Sequence, residues 1–242
     1  MLDFSIPFAF VLLAVAVLPA AEPAGIPPGY KLLFEQSFDK PESAKDVLFL
    51  DPAPWKHVTV DNHGCLEVAY DRKTYKAPRE PKHRSPFHMA MIADKLFTDF
   101  VMDLEMASTT PPYPHQDLCL FCGYESPEKY YYTHIAVVTD DRAHNVFIVN
   151  DAPRVKISKE TTKGIEWGLE KWHKVRLVRE GSTGKIEVYF DDMTKPIMRA
   201  EDKTFPKGMI GFGTFDDTGR FRNVKVYGLA VEEKRNTYLK AR

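Results

Sequence analysis

Apolar residues in this chain recur mostly at every second position, in short runs broken by turn-forming clusters. In Phe100-Val101-Met102-Asp103-Leu104-Glu105-Met106 the even positions are apolar, and Asp103 and Glu105 share the other side. In Lys174-Val175-Arg176-Leu177-Val178-Arg179, Val175 and Leu177 fall together. The run from Tyr130 to Val137 separates Tyr130, Tyr132 and His134 from Tyr131, Thr133, Ile135 and Val137. Side chains alternate across an extended backbone, so a period of two marks strands with one buried face. The pattern predicts strands over 32–38, 55–60, 64–69, 87–93, 99–107, 118–124, 130–138, 145–149, 173–179, 185–190, 208–215 and 221–227. Turn chemistry separates them, as in Asn62-His63-Gly64, Gly181-Ser182-Thr183-Gly184 and Asp216-Asp217-Thr218-Gly219. No long stretch shows a helical period. The most helix-like segment is the charged tail, 231–242.

Consecutive strands without helices between them argue against a parallel α/β sheet. The expected fold is all-β, a jelly-roll sandwich of two antiparallel sheets. A length of 242 residues suits one large domain, here 25–230. Tyr131, Thr133, Ile135 and Val137 are assigned to the core, leaving Tyr130, Tyr132 and His134 on a polar, aromatic face. Proline-containing loops at 71–85 and 108–117 are expected to rim a binding face.

The N-terminus departs from this pattern. Residues 6–21 are almost wholly apolar and end in Ala20-Ala21 ahead of Glu22-Pro23-Ala24-Gly25. A short apolar run at the extreme start, closed by small residues, reads as a signal peptide over 1–24. It is short for a membrane span, which needs about 20 residues. Residues 1–7 carry no Lys or Arg, unlike a typical leader. The expected location is periplasmic or extracellular. A net charge of −1 gives no general attraction to nucleic acid. The three cysteines, Cys65, Cys119 and Cys122, make no disulfide framework. Cys119 and Cys122 lie three apart in a strand-like run and so point to opposite faces, as buried small hydrophobes do.

Unusual polar groups concentrate in the middle of the chain. Arg84 and His88 are four apart; His115 and Asp117 precede one strand; Tyr130, Tyr132 and His134 line another; His144 and Asn145 open a third, with Asn150 at its end and Arg154 beyond. If these strands pair in order at a spacing of about 5 Å, the side chains converge on one surface.

The framework resembles the concanavalin A-like lectin/glucanase superfamily. The matching residues are Leu33-Phe34-Glu35-Gln36-Ser37-Phe38-Asp39, Thr98-Asp99-Phe100-Val101-Met102-Asp103-Leu104-Glu105, Trp172-His173-Lys174-Val175-Arg176-Leu177, Gly211-Phe212-Gly213-Thr214-Phe215-Asp216-Asp217 and Phe221-Arg222-Asn223-Val224-Lys225-Val226. They are similar to secreted laminin-G-like, glycoside hydrolase family 16-like and 3-keto-disaccharide hydrolase-like domains. The resemblance implies a jelly roll with a glycan as partner. It does not select a reaction, because one fold hosts many. The family 16 motif Glu-x-Asp-x-x-Glu is absent; Asp103 and Glu105 are its nearest echo. A structural calcium held by Asp39 with Asp216 or Asp217 also belongs to what the resemblance allows, although Asp216-Asp217-Thr218-Gly219 reads first as a turn.

Three uses of the central residues compete. Recognition alone needs rings to stack on sugar faces and polar groups to bond hydroxyls; Arg84, His115, Tyr130, His144, Asn145, Asn150 and Arg154 are the expected substrate contacts. Hydrolysis needs two carboxylates roughly 5 to 9 Å apart, from Asp103 with Glu105 or from Asp117 with Asp140 or Asp141. Elimination from a uronate polymer needs a charge neutraliser, Arg84 or Asn145, and a proton-exchanging pair, His134 and Tyr132. His134, Tyr132, His88 and Asp117 are therefore the catalytic candidates. His88, His115, His134 and His144 with Asp117 also offer metal-binding chemistry, but no compact ligand spacing supports it and no metal is assigned. A non-catalytic module packing on a protein partner is the remaining alternative.

Overall fold

The computed structural model describes residues 24–76, 82–86 and 88–233. The expected signal segment and the tail beyond 233 lie outside these residues. The strands are β1 (Lys31–Gln36), β2 (Val47–Phe49), β3 (Trp55–Val60), β4 (His63–Val68), β5 (His88–Ile92) and β6 (Lys95–Leu96). Next come β7 (Phe100–Ser108), β8 (Asp117–Ser126), β9 (Lys129–Ala136), β10 (Asn145–Asn150), β11 (Val155–Lys156) and β12 (Ser158–Thr161). The last are β13 (His173–Glu180), β14 (Lys185–Phe190), β15 (Met198–Glu201), β16 (Met209–Thr214), β17 (Gly219–Gly228) and β18 (Glu232–Glu233). One 3₁₀ turn, Pro41–Asp46, precedes β2.

Two antiparallel sheets stack as a jelly-roll sandwich. One runs β12-β15-β14-β13-β7-β17-β4-β3, with β1 also paired to β17; the other runs β11-β10-β9-β8-β16-β5-β2. Tight turns set the register. Asp61 and Asn62 both have positive φ (51° and 64°), as a two-residue turn of the mirror type requires, and Val60 pairs with His63 across it. The start of the charged tail is not helical: Glu232 and Glu233 pair with Leu96 and Lys95.

Between the sheets, Phe100, Met102, Leu104 and Met106 of β7 meet Leu118, Leu120 and Cys122 of β8, Tyr131 and Ile135 of β9, and Phe212 of β16. This is the side the alternation assigned to the core. Trp55 and Trp167 are buried there too. On the solvent side of β7, Asp103 receives two bonds from Arg176, at 2.6 and 2.8 Å, and Glu105 one from Arg222 at 2.7 Å. Both acids are therefore ion-paired on the outside of the nine-stranded sheet. Among the described residues no helix is long and apolar enough to cross a membrane.

Candidate functional site

The seven-stranded sheet has a second apolar layer on its outer face. Strand alternation brings Met89 and Met91, Cys119 and Phe121, Tyr130 and Tyr132, and Phe147 and Val149 to this side. Registers align them in rows. Cys119 lies opposite His134, which lies opposite Asn145; Phe121 lies opposite Tyr132, which lies opposite Phe147. The Tyr132 and Phe147 rings stack at 5.1 Å. This face was expected to present polar and aromatic side chains to a ligand, but Phe121, Tyr130 and Tyr132 are fully buried. Tyr130 Oη donates to the Pro86 carbonyl at 3.1 Å, so the loop before β5 lies against it. The polar pattern of the strand shows which side chains share a face; it does not show that a loop lies over them.

At one end of this layer Asp117 and His134 sit together, both buried, with Asp117 Oδ1 3.4 Å from His134 Nε2. Asp117 Oδ2 accepts the Cys119 thiol at 3.3 Å and the Phe215 N–H at 3.1 Å. Burial opposes ionisation of Asp117, but His134 and these donors outweigh it and hold the carboxyl below its ordinary range. With Nε2 turned toward Asp117, the other ring nitrogen faces away. Among the described residues His134 Nδ1 is buried without a hydrogen-bond partner. Burial and the Asp117 carboxylate raise the Cys119 thiol well above its usual range, so it is a weak nucleophile here.

Asp217 extends the cluster. Its Oδ2 accepts the Asp117 N–H at 2.7 Å, and its Oδ1 accepts Tyr113 Oη at 2.9 Å and Arg72 Nη1 at 3.1 Å. Burial and the neighbouring Asp117 push Asp217 up to about 7. Asp216 is bonded to Arg84. The Phe215 ring carries two guanidinium groups, Arg84 at 4.7 Å and Arg154 at 4.5 Å from its centre. Arg154 also lies 4.9 Å from the Phe147 ring, and its Nη1 donates to Tyr132 Oη at 2.7 Å. Of this corner, the Arg84 side chain is 69% exposed and His134 only 6%. The open part of the face is thus its arginine rim, with the imidazole beneath.

Of the residues singled out from sequence, Asp117, Tyr132, His134, Arg84 and Arg154 come together. Tyr130 is two residues further along β9, under the loop. His88 is not with them. The β16 strand separates β5 from β8, and alternation turns His88 to the side of Ala90 and Ile92. There it packs on Tyr70 at 4.4 Å, with Nδ1 3.4 Å from Asp51. Arg84 and His88 do not share a strand, because Arg84 precedes β5. His115 lies on the rim and pairs with Asp140 at 2.7 Å. His144 accepts the Ala136 N–H at Nδ1, at 3.3 Å, and its Nε2 lies 2.9 Å from Thr162 Oγ1. Asn145 spends its amide on the Asp140 and Ala143 carbonyls, at 2.7 and 2.8 Å, which shapes the loop ahead of β10. Asn150 is exposed at the far end of β10. Phe147, Phe215, Tyr113 and Arg72 were not anticipated; nothing in the local pattern distinguishes Phe215 or Phe147 from core residues.

The four histidines do not assemble around a common point. Asp117, Cys119 and His134 do place one donor atom each within 4.8 Å of one another, but Asp117 is already hydrogen-bonded to Cys119. Asp39 is held by the Gly64 N–H at 3.2 Å and lies 3.8 Å from His63, whereas Asp216 and Asp217 are held by arginines. Arg72 is common to Asp216 and Asp217, while Asp39 has partners of its own, and the calcium arrangement is not formed by them.

The sequence matches no family model and no curated protein sequence. Its fold has known relatives. The carbohydrate-binding module CBM66 from Bacillus subtilis superposes with a TM-score of 0.51 at 13% identity, covering 76% of this chain and 96% of the module. Winged bean acidic lectin, complexed with methyl-α-D-galactose, gives 0.52 at 12% identity over 84% of this chain and all of the lectin. The GH43 protein BlXynB from Bacillus licheniformis gives 0.53 at 12% identity over 81% of this chain, which spans 39% of that protein. The likeness reaches the jelly-roll fold. It does not choose among laminin-G-like, family 16-like and 3-keto-disaccharide hydrolase-like domains.

Proposed function

We propose that this chain is a carbohydrate-binding domain whose site is the corner built by His134, Tyr132, Arg154, Arg84 and Phe215. The observation that carries the reading is the buried, unpaired Nδ1 of His134. A buried nitrogen without a partner costs free energy, which a ligand hydroxyl recovers once the side chains covering the imidazole shift to admit it. Beside it stand two guanidinium groups, donors for sugar hydroxyls, packed on the buried Phe215 ring. The three fold relatives named above are a sugar-binding module, a lectin with a bound galactoside and a GH43 protein, which makes the reading reasonable without assigning it. Binding of a glycan panel to the chain lacking residues 1–24, followed by calorimetry, tests it. His134→Ala should abolish binding while the protein still melts cooperatively; unchanged affinity in that variant would move the site elsewhere.

A second reading, glycan processing, is favoured by one observation: Asp117 lies on one side of the His134 ring and leaves the opposite nitrogen unpaired. This is the arrangement of a carboxylate-oriented proton acceptor, with the Tyr132 hydroxyl as a neighbouring proton donor. Burial raises the Tyr132 phenol well above its usual range, so it stays protonated at neutral pH. Hydrolysis by a carboxylate pair has less support, because Asp103 and Glu105 are ion-paired on the other sheet. Reducing-end and unsaturated-product assays on any glycan that binds separate the two readings: binding without turnover removes the catalytic one.

We also infer export, on the apolar run 6–21 ended by small residues. N-terminal sequencing of secreted protein from a heterologous host checks it; retention of uncleaved chain in the cytoplasm contradicts it.

A further inference from the structure

We propose that the corner formed by Arg154, Arg84 and Phe215 takes an anionic sugar, one carrying a carboxylate or a sulfate ester. This rests on the glycan-binding reading and adds the charge of the ligand. Arg154 is half-buried, stacked against Phe147 and Phe215. Its two hydrogen bonds go to neutral acceptors, Tyr132 Oη at 2.7 Å and the Arg142 carbonyl at 3.2 Å. Among the described residues no carboxylate lies within ion-pair distance of it. The carboxylates nearby are taken: Arg84 and Arg72 hold Asp216, Arg72 holds Asp217, and Asp117 is buried with His134.

A guanidinium does not lose its charge at any ordinary pH. A protein that partly desolvates one without a counter-charge bears a cost that an incoming anion removes. Two of five N–H groups are used, one on each terminal nitrogen, so three remain to donate to a carboxylate or a sulfate oxygen. The geometry fits a sugar seated on the arginine rim above the buried Phe215 ring, with its acidic substituent turned to Arg154. Its hydroxyls then face His134. A neutral sugar would satisfy the hydrogen bonds and leave the charge uncompensated.

The test uses the chain lacking residues 1–24 and three matched oligosaccharides: a uronate oligomer, the same oligomer with its carboxyl groups reduced to alcohols, and a sulfated form of the reduced oligomer. Isothermal calorimetry should show a charged form binding at least about tenfold more tightly than the neutral one, as charge-assisted bonds require. The form that binds best identifies the group as carboxylate or sulfate. Arg154→Gln should close the gap between charged and neutral forms, and Arg154→Lys, which keeps charge but loses the fork, should restore part of it. High salt should narrow the gap as well. Lys159→Ala, paired with Glu201 on a strand of the other sheet, should change nothing. Equal affinity for neutral and charged forms, or the same loss for both in Arg154→Gln, overturns the proposal. If the neutral oligomer binds and His134→Ala abolishes that binding, the glycan-binding reading survives and the charge assignment fails. If no oligomer binds, both fail.

Discussion

Acid should destabilise this protein through His144, and the size of the effect follows from its surroundings. His144 is fully buried where the chain enters β10, in the left-handed region at φ 50°. Nδ1 accepts the Ala136 N–H, and Nε2 meets Thr162 Oγ1. Only one ring nitrogen can then carry a hydrogen, and a second proton would displace the Ala136 bond. Burial pushes the group down from 6.5 to about 4. In the unfolded chain the ring takes its proton near pH 6.5, so below that pH the unfolded state binds more protons than the folded one. Stability is therefore fully present above 6.5 and falls as the pH drops toward 4. For this one group, between pH 7.5 and 4.5, linkage gives a loss of about 2–3 kcal/mol. His144→Asn is the perturbation, because Asn tolerates the left-handed backbone and does not titrate here. The variant should be less stable at pH 7.5 but should lose about 2–3 kcal/mol less than the wild type on going to pH 4.5, measured by urea unfolding at both pH values. Equal losses in the two proteins would refute the reasoning, since the acid sensitivity would then arise elsewhere. His88, also buried and pushed to about 4 by burial, supplies an independent contribution of the same sign that remains in the variant.

Three other outcomes follow from the packing. Tyr131→Phe removes a hydroxyl that donates to Asp202 and accepts the Phe205 N–H at 2.9 Å; urea unfolding should show a loss of about 1–3 kcal/mol, from the buried N–H left unpaired. Met102→Ala at the centre of β7 leaves a void between the sheets and should cost about 2–5 kcal/mol in the same measurement, with the slope against urea unchanged. Gly164→Ala should be more damaging than an ordinary surface change, by over about 3 kcal/mol, because φ is 131° and an added Cβ would stand 1.8 Å from the Val137 carbonyl oxygen; thermal melts of soluble protein check it.

Much of the architecture was legible because β-structure writes its faces into the sequence. Long strands with one buried side, such as β7 and β13, showed their alternation plainly, and 55–60 and 185–190 coincide with β3 and β14 at both ends. The strands not anticipated, β2, β6, β11, β12, β15 and β18, have two to four residues each, too few to display a period. β2, β6, β12 and β18 pair with strands remote in sequence, whereas β11 and β15 pair with the strand just before them. The same limit explains His88: its position in an apolar run was visible, but the insertion of β16 between β5 and β8 was not.

By itself, the order of residues determined that Tyr130, Tyr132 and His134 share a side of one strand and that Cys119 and Cys122 part to opposite sides, because a pleated backbone turns each successive side chain over. It also determined the all-β class, through short β-prone runs separated by turns. Only the tertiary structure decided that Tyr130 would lie under the loop before β5 and Tyr132 against Arg154, that Asp117 would lie against His134, and that Arg84 and Arg154 would meet on Phe215. Those contacts join residues up to 131 positions apart, as 84 and 215 are. Their formation depends on strand order and loop path, which are set by closing the whole sandwich around its core and are not encoded in any local repeat.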